Sequence, residues 1–163
     1  MIFMEKKLEI AGWKKTSCDD GPGMRSVLFL QGCSMNCAGC HNKIAQKKGN
    51  GELWDVAEIA GRIIQQCHNK RLTISGGEPL EQWQELKELI AMLAEINFDI
   101  CIYTGWNKEE VPDEVFQMVN YVKCGSFAAD LKSENIHYVG SSNQRMFKRE
   151  TSGEWVELKL QIG

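Results

Sequence analysis

Short apolar runs alternate with amphipathic segments along the chain, and this alternation limits the possible folds more than any other feature. The amphipathic segments repeat apolar residues at i, i+3 and i+4, as one face of a helix does, whereas the apolar runs are brief and bounded by turn residues. The predicted strands cover residues 26–31, 71–75, 98–104 and 121–124. The predicted helices cover residues 53–68, 80–93 and 113–120. Such alternation indicates an α/β fold in which helices cover a parallel sheet.

The number of strand–helix units predicts how far such a sheet can close. Four units are too few for an eight-stranded barrel, so we expect a partial, incomplete parallel βα barrel or a curved open sheet. Residues 146–150 and 155–160 flank a Thr-Ser-Gly turn and predict a short C-terminal β-hairpin that pairs at a sheet edge. Without a repeat or a linker, residues 1–163 are expected to form a single domain. Ligands of parallel α/β folds bind at the carboxyl ends of the strands, where the glycine-rich and cysteine-rich loops of this chain fall.

Charge and cysteine content exclude several classes of function. The chain has 163 residues, seven cysteines and a net charge of −3. This cysteine content is about half of what a short disulfide scaffold contains, and the negative charge argues against a nucleic-acid partner. The N-terminus carries charges where a signal peptide needs an apolar core, and no apolar run has the length of a membrane span. We therefore expect a cytoplasmic protein without a membrane partner, in which the cysteines are reduced.

Three of the cysteines, Cys33, Cys37 and Cys40, lie within eight residues directly after the first predicted strand. Three thiolates from one loop can surround a single metal centre. In a cubane of four irons they would ligate three, and the fourth iron would stay open to a ligand from outside the protein. The alternative is a zinc site completed by His41, although zinc motifs usually split their ligands into two separated pairs.

The other four cysteines lie singly along the chain. Cys67 and Cys101 fall on apolar faces of predicted elements, and we expect both to be small core residues. Cys18 and Cys124 receive no role from their positions. The cysteine cluster is therefore the part of the sequence that points to metal chemistry.

Five segments in a fixed order resemble one superfamily. The Cys-x3-Cys-x2-Cys spacing after an apolar strand resembles the radical S-adenosylmethionine superfamily, and residues 20–25 (Asp-Gly-Pro-Gly-Met-Arg) resemble the upstream segment of its glycyl-radical-enzyme activases. Residues 75–79 (Ser-Gly-Gly-Glu-Pro) are similar to its GGE segment and residues 103–106 (Tyr-Thr-Gly-Trp) to its YTG turn. Residues 140–145 (Gly-Ser-Ser-Asn-Gln-Arg) resemble the C-terminal signature of the activating proteins of anaerobic ribonucleotide reductases. Pyruvate formate-lyase activases share the first three segments but are longer.

The resemblance implies a radical-SAM-type partial barrel with one 4Fe-4S cluster per chain on the three clustered cysteines, together with S-adenosyl-L-methionine. The segment after the second strand would receive the methionine amino group, and the backbone at the end of the cysteine loop would lie near the adenine. The residues implied in cofactor contact are Gly39, Cys40, His41, Gly76, Gly77 and Glu78. Read without the resemblance, Glu78 is equally well explained as a residue at a helix start. The superfamily often has an aromatic residue where this chain has Gly39, and an acidic residue is expected near Cys124.

The implied activity is that of a radical SAM oxidoreductase that generates a 5′-deoxyadenosyl radical and installs a glycyl radical. The implied substrate is the glycyl radical subunit of the anaerobic (class III) ribonucleoside-triphosphate reductase, and the implied electron donor is a flavodoxin-like or other one-electron reductant. Asn143 and Arg145 are expected either to contact cofactor or partner or to cap a surface turn. Three other functions stay open: activation of a pyruvate formate-lyase-like enzyme, non-catalytic electron transfer by an iron–sulfur cluster, and a zinc-stabilised binding module.

Overall fold

The computed structural model describes residues 6–35, 37–40, 42–134 and 136–160. Its strands are β1 (Lys7–Ser17), β2 (Arg25–Leu30), β3 (Glu52–Asp55), β4 (Arg71–Gly76), β5 (Asp99–Tyr103), β6 (Tyr121–Cys124), β7 (Arg145–Arg149) and β8 (Trp155–Glu157). Its α-helices are α1 (Val56–Gln66), α2 (Trp83–Glu95) and α3 (Asp113–Met118). Short 3-10 turns lie at Lys43–Ala45, Pro79–Gln82, Lys108–Glu110 and Ala129–Leu131.

The strands form one mixed sheet in the order β3-β1-β2-β4-β5-β6-β7-β8. Its centre is parallel, because β2, β4, β5 and β6 pair side by side in the same direction. These four strands are the ones that the apolar runs predict, so the α/β prediction with a parallel sheet is confirmed. The predicted C-terminal hairpin is confirmed too, since β8 pairs antiparallel with β7, and β7 continues the sheet from β6.

All three α-helices pack on one face of this sheet. The strand side chains beneath them are almost fully buried aliphatic residues, such as Leu28, Ile74 and Ile102. Every residue predicted for the inner side of α2 is buried; these are Trp83, Leu86, Leu89, Ile90 and Leu93. The opposite face is covered differently. Cys101, Tyr103 and Met146 form a second, smaller cluster there, packed against Tyr121, Tyr138 and two C-terminal leucines. The sheet therefore has a helix-covered face and, among the described residues, a helix-free face.

Two strands at one edge, β1 and β3, are absent from the sequence-based prediction. β1 carries many charged residues, and register shifts after Ile10 and after Lys14 break the alternation of its side chains between the two faces of the sheet. β3 lies within the segment predicted as a helix from residue 53, but its pairing with β1 delays the helix start to Val56. The apolar repeat of residues 53–68 includes Ile64 and predicts that it faces the core with Ile63; this prediction is wrong for Ile64, which is 46% exposed. None of the described helices has the length and apolar character needed to cross a membrane.

Candidate functional site

The loop with the three clustered cysteines follows β2 at the carboxyl edge of the parallel strands. Its two ends are held together by backbone hydrogen bonds, because Gly32 N donates to Ala45 O at 2.6 Å and Cys33 N donates to Gln46 O at 2.8 Å. The side-chain amide of Gln31 strengthens this closure by donating to two carbonyls further along the loop. The loop is thus a closed excursion that begins and ends on the sheet, and Cys33, Cys37 and Cys40 are all half-buried within it.

The chemistry of these donors fits an iron–sulfur cluster. All seven cysteines lie in the described part of the chain, and no two of them form a disulfide. Cysteine thiolates are the ligands that iron–sulfur clusters take. Within the described ranges, no group of three or more His, Cys, Asp or Glu side chains is close enough to hold a metal ion. The residue types and their loop therefore suit the cluster, while the three sulfurs would have to draw together around it.

The remaining cysteines have other environments. Cys67 and Cys101 are buried core residues, as predicted, and Cys124 is buried on the helix-covered face. Burial raises the pKa of both the Cys101 and the Cys124 thiols to about 12, which disfavours the thiolate that a metal would need. Cys18 is exposed beyond β1.

The glycine pair after β4 crosses directly over the end of β2. Gly76 has a φ of +127°, and a Cβ on Gly76 would collide with the backbone of Leu30. A Cβ on Gly77 would collide with the carbonyl of Gly32, next to the first clustered cysteine. Gly77 N donates to Leu30 O at 3.0 Å. The glycines are therefore required where the two strand-end loops touch, and they bring the segment after β4 against the base of the cysteine loop.

Glu78 links the loops after β4 and β5. Its side chain is 1% exposed. One carboxylate oxygen accepts from Leu80 N and from Thr104 Oγ1, each at 2.9 Å, and the other accepts from Gly105 N at 2.7 Å. Burial raises the pKa of Glu78 to about 7, although these hydrogen bonds oppose the shift. The bond to Leu80 N matches the interpretation of Glu78 as a residue at a helix start, since Glu78 caps the turn Pro79–Gln82 that leads into α2.

A cavity of about 670 Å³ lies on the helix-free face. It extends from Asn42 and Ile44 in the cysteine loop, across Ser75 and Gly76, to Lys123. A volume of this size is typical of small-molecule sites. The cavity therefore connects the cysteine loop with the inner surface of the parallel strands.

The other residues singled out from the sequence have mixed outcomes. Gly39 has a φ of +74°, and a Cβ there would lie 3.3 Å from the Phe127 ring, so the cysteine loop touches the loop after β6. Cys40 N donates to Cys37 O at 3.2 Å, and His41 lies outside the described residues. Asn143 and Arg145 both contact other surface residues. Asn143 Nδ2 donates to Ser126 O, and Arg145 forms an ion pair with Glu157 across the hairpin.

Sequence reasoning missed Lys123, whose ammonium lies 4.0 Å from the centroid of the Tyr103 ring on the helix-free face. Burial lowers the pKa of Lys123 to about 8. The available signal was a lysine inside a short strand, two residues from Tyr121 and therefore on the same face of the sheet. That pattern does not reveal that the strand faces a cavity.

A comparison with family models finds one match, described as a 4Fe-4S single cluster domain, over residues 19–147. These residues include the three clustered cysteines and all of the parallel strands. Several curated proteins are similar over most of the chain. The anaerobic ribonucleoside-triphosphate reductase-activating protein of Salmonella typhi is 32% identical over 138 residues, which cover 77% of this chain and 88% of that protein.

The protein of the same name from Enterobacteria phage T4 is 32% identical over 149 residues, which cover 85% of this chain and 93% of its own. The pyruvate formate-lyase-activating enzyme of Staphylococcus aureus (strain USA300) is 33% identical over 100 residues, which cover 53% of this chain but only 37% of that enzyme. The similarity to the reductase-activating proteins thus extends over nearly their whole length.

Proposed function

Because the chain belongs to the 4Fe-4S single cluster domain family and to the anaerobic ribonucleoside-triphosphate reductase-activating proteins, we propose that it is an iron–sulfur activase of such a reductase. The activase is an enzyme that uses S-adenosylmethionine to install a glycyl radical on the anaerobic (class III) reductase. The observation that carries this proposal is the closed three-cysteine loop at the carboxyl edge of the sheet, beside a cavity large enough for a small-molecule cofactor.

Cys33, Cys37 and Cys40 would hold the cluster, each through one sulfur, and leave one iron without a protein ligand. When bound, the cluster and S-adenosylmethionine supply the electron and the 5′-deoxyadenosyl group that together remove a hydrogen atom from a glycine. The protein holds these groups in place. The closed base of the loop positions the thiols, and the segment at Ser75 and Gly76, which lines the cavity, would face the cofactor.

The arrangement of faces supports a radical-SAM-type partial barrel formed by residues 1–163 as one domain. Helices cover one side of the parallel strands, and the cavity lies on the other, as the inside of a barrel would. An incomplete barrel leaves an open side through which a glycine-bearing loop of the reductase can enter. Lys47 and Lys48 are exposed next to the cysteine loop, where an acidic, flavodoxin-like reductant could dock. A reducing cytoplasmic location would keep the thiols reduced.

The test uses protein reconstituted anaerobically with iron and sulfide. We expect about four irons per chain, release of 5′-deoxyadenosine when S-adenosylmethionine and a reductant are added, and a glycyl radical signal by electron paramagnetic resonance when the reductase is present. A cluster without cofactor cleavage would indicate an electron carrier, and a single zinc would indicate a binding module. Cleavage without a radical on this reductase, but with one on a pyruvate formate-lyase-like enzyme, would assign the other activase class.

A further inference from the structure

Lys123 presents a positive charge to the cavity without a negative partner. Its ammonium lies over the Tyr103 ring, and among the described residues no carboxylate lies within ion-pairing distance of it. The nearby Asp20 carboxylate has other partners, because it accepts a hydrogen bond from Ser17 Oγ and lies 3.8 Å from Lys14 Nζ. The Cys101 thiol beside it is neutral at ordinary pH, since burial raises its pKa to about 12. Lys123 is half-buried, so its ammonium has lost part of its hydration, and a ligand that carries a negative charge would supply the missing partner.

Tyr103 adds a second polar group without a partner. Its ring lines the same cavity, and its buried hydroxyl has no hydrogen-bond partner within the described part of the chain. Buried tyrosine hydroxyls usually find one. The end of β5 and the end of β6 therefore bring the Tyr103 ring and the Lys123 ammonium to the same cavity, while the Tyr103 hydroxyl is buried beside it.

We propose that Lys123, supported by the Tyr103 ring, binds the carboxylate of S-adenosylmethionine, an inference that rests on the proposed function. The cofactor has a cationic sulfonium, a cationic amine and one anionic group, so an ammonium attracts only its carboxylate and repels the rest. A carboxylate has two oxygens and can ligate a metal through one while it accepts a hydrogen bond through the other. Lys123 is thus a cofactor-binding residue that sets the orientation in which the cofactor enters the cavity.

The experiment compares two ligands on the cluster-loaded, unreduced protein, where binding is measured without cleavage. Calorimetry gives the Kd of S-adenosylmethionine and of its decarboxylated analogue for the wild type and for Lys123→Met. Loss of a charge-assisted hydrogen bond should weaken S-adenosylmethionine binding about 10- to 100-fold. The wholly cationic analogue should bind Lys123→Met at least as tightly as it binds the wild type, because the substitution removes a repulsive charge. Lys123→Arg, which keeps the charge, should retain most of the preference for the carboxylate. Tyr103→Leu, which removes the ring beneath the ammonium, should produce a smaller effect in the same direction.

Lys108→Met is the matched control. Lys108 Nζ also lies over an aromatic ring, 5.2 Å from the centroid of Phe147, but it borders a different cavity, between α3 and the hairpin. We expect this variant to bind both ligands as the wild type does. Thermal unfolding gives a second readout that does not need a ligand. Removal of an unpaired, poorly solvated ammonium should raise the midpoint of Lys123→Met by about 2–4 °C. The inference requires that the unliganded protein is more stable without this ammonium. If Lys123→Met fails to fold, the inference is therefore overturned. Lys123→Gln then tests whether a second uncharged side chain also prevents folding.

The inference is also overturned if Lys123→Met weakens the binding of both ligands equally, or of neither. In that case a wild-type protein that still binds and cleaves S-adenosylmethionine leaves the proposed function intact. If the cluster-loaded wild type binds neither ligand, the proposed function fails, and the inference fails with it.

Discussion

Two buried charged side chains, Arg25 and Glu78, lie at opposite ends of the same parallel strands and have opposite surroundings. Each is 1% exposed. The guanidinium of Arg25, at the amino end of β2, donates to the Asp99 carboxylate at 2.7 Å and to three backbone carbonyls. The carboxylate of Glu78, at the carboxyl end of β4, accepts only from neutral donors among the described residues. The charge of Arg25 is therefore balanced within the fold, whereas that of Glu78 is not.

The two ends of the parallel strands thus differ in whether the chain itself supplies partners for its buried charges. At the amino end, the Arg25 network joins β2, β4 and β5, and its ionic and backbone partners are all provided by the chain. At the carboxyl end, the structure has a carboxyl group with a pKa raised to about 7, a lysine that forms no ion pair within the described ranges, and a loop that carries three thiols. Shifted pKa values of this kind are concentrated at functional sites. We therefore expect substitutions at the amino end to affect stability and those at the carboxyl end to affect cofactor chemistry.

The largest effect is expected at the cysteine loop. Cys37→Ala removes one of three proposed iron ligands, so 5′-deoxyadenosine formation should fall to the background rate and the iron content should drop. Cys18→Ala is the control, because this exposed cysteine lies beyond β1, near the amino ends of the parallel strands. It should keep both iron and activity. Full activity in Cys37→Ala would contradict the division between the two ends.

Arg25→Met tests the opposite end. The substitution leaves three carbonyls and the Asp99 carboxylate without their shared donor, and breaking a buried ion pair in this way costs about 3 kcal/mol of the free energy of unfolding. We place the cost at the low end of the usual range because the Asp99 side chain is 38% exposed and can rehydrate. Urea unfolding measures the loss. The fraction that remains folded should bind S-adenosylmethionine with the wild-type Kd, and a selective loss of binding would show that the ends are coupled.

Glu78 makes the stability of the fold depend on pH. Its folded pKa of about 7 lies above the ordinary value of 4.5, so the folded state binds the proton more tightly. This contribution to stability is fully present below about pH 4.5 and is lost as the pH rises through about 7, by up to about 3 kcal/mol. Urea unfolding of the wild type and Glu78→Gln across this range measures it, because other groups cancel in the difference. A difference that does not change with pH would mean that the carboxyl is not perturbed.

The parallel centre of the fold could be predicted because its strands are apolar on both faces and its helices have a regular repeat. The edge strands could not. β1 is stabilised by pairing on both sides rather than by its own apolar pattern, and the pairing of Leu8 with Trp54 turns the start of a predicted helix into β3. Long-range pairing of this kind has no signal within either segment.

At the site, the spacing of the cysteines and the glycine pair indicated the right loops, but not the contacts between them. The sequence left two explanations for Glu78, as a cofactor contact or as a residue at a helix start, and only the structure places its carboxylate against Thr104 and Gly105. Lys123 was overlooked because its importance comes from the cavity beside it, which no local pattern encodes. Individual elements follow from sequence, whereas charge balance depends on which elements meet.

The smallest effect is expected at Arg145, whose ion pair can be compared with that of Arg25. Its guanidinium donates to Glu157 at 2.8 Å, nearly the same length as the bond from Arg25 to Asp99, but both side chains are close to half exposed. Because water solvates each partner when the bond breaks, Arg145→Met should reduce the free energy of unfolding by about 0.5 kcal/mol, and high salt should abolish the difference. S-adenosylmethionine should bind the variant as tightly as the wild type. A weaker Kd would instead favour the prediction that this segment contacts the cofactor.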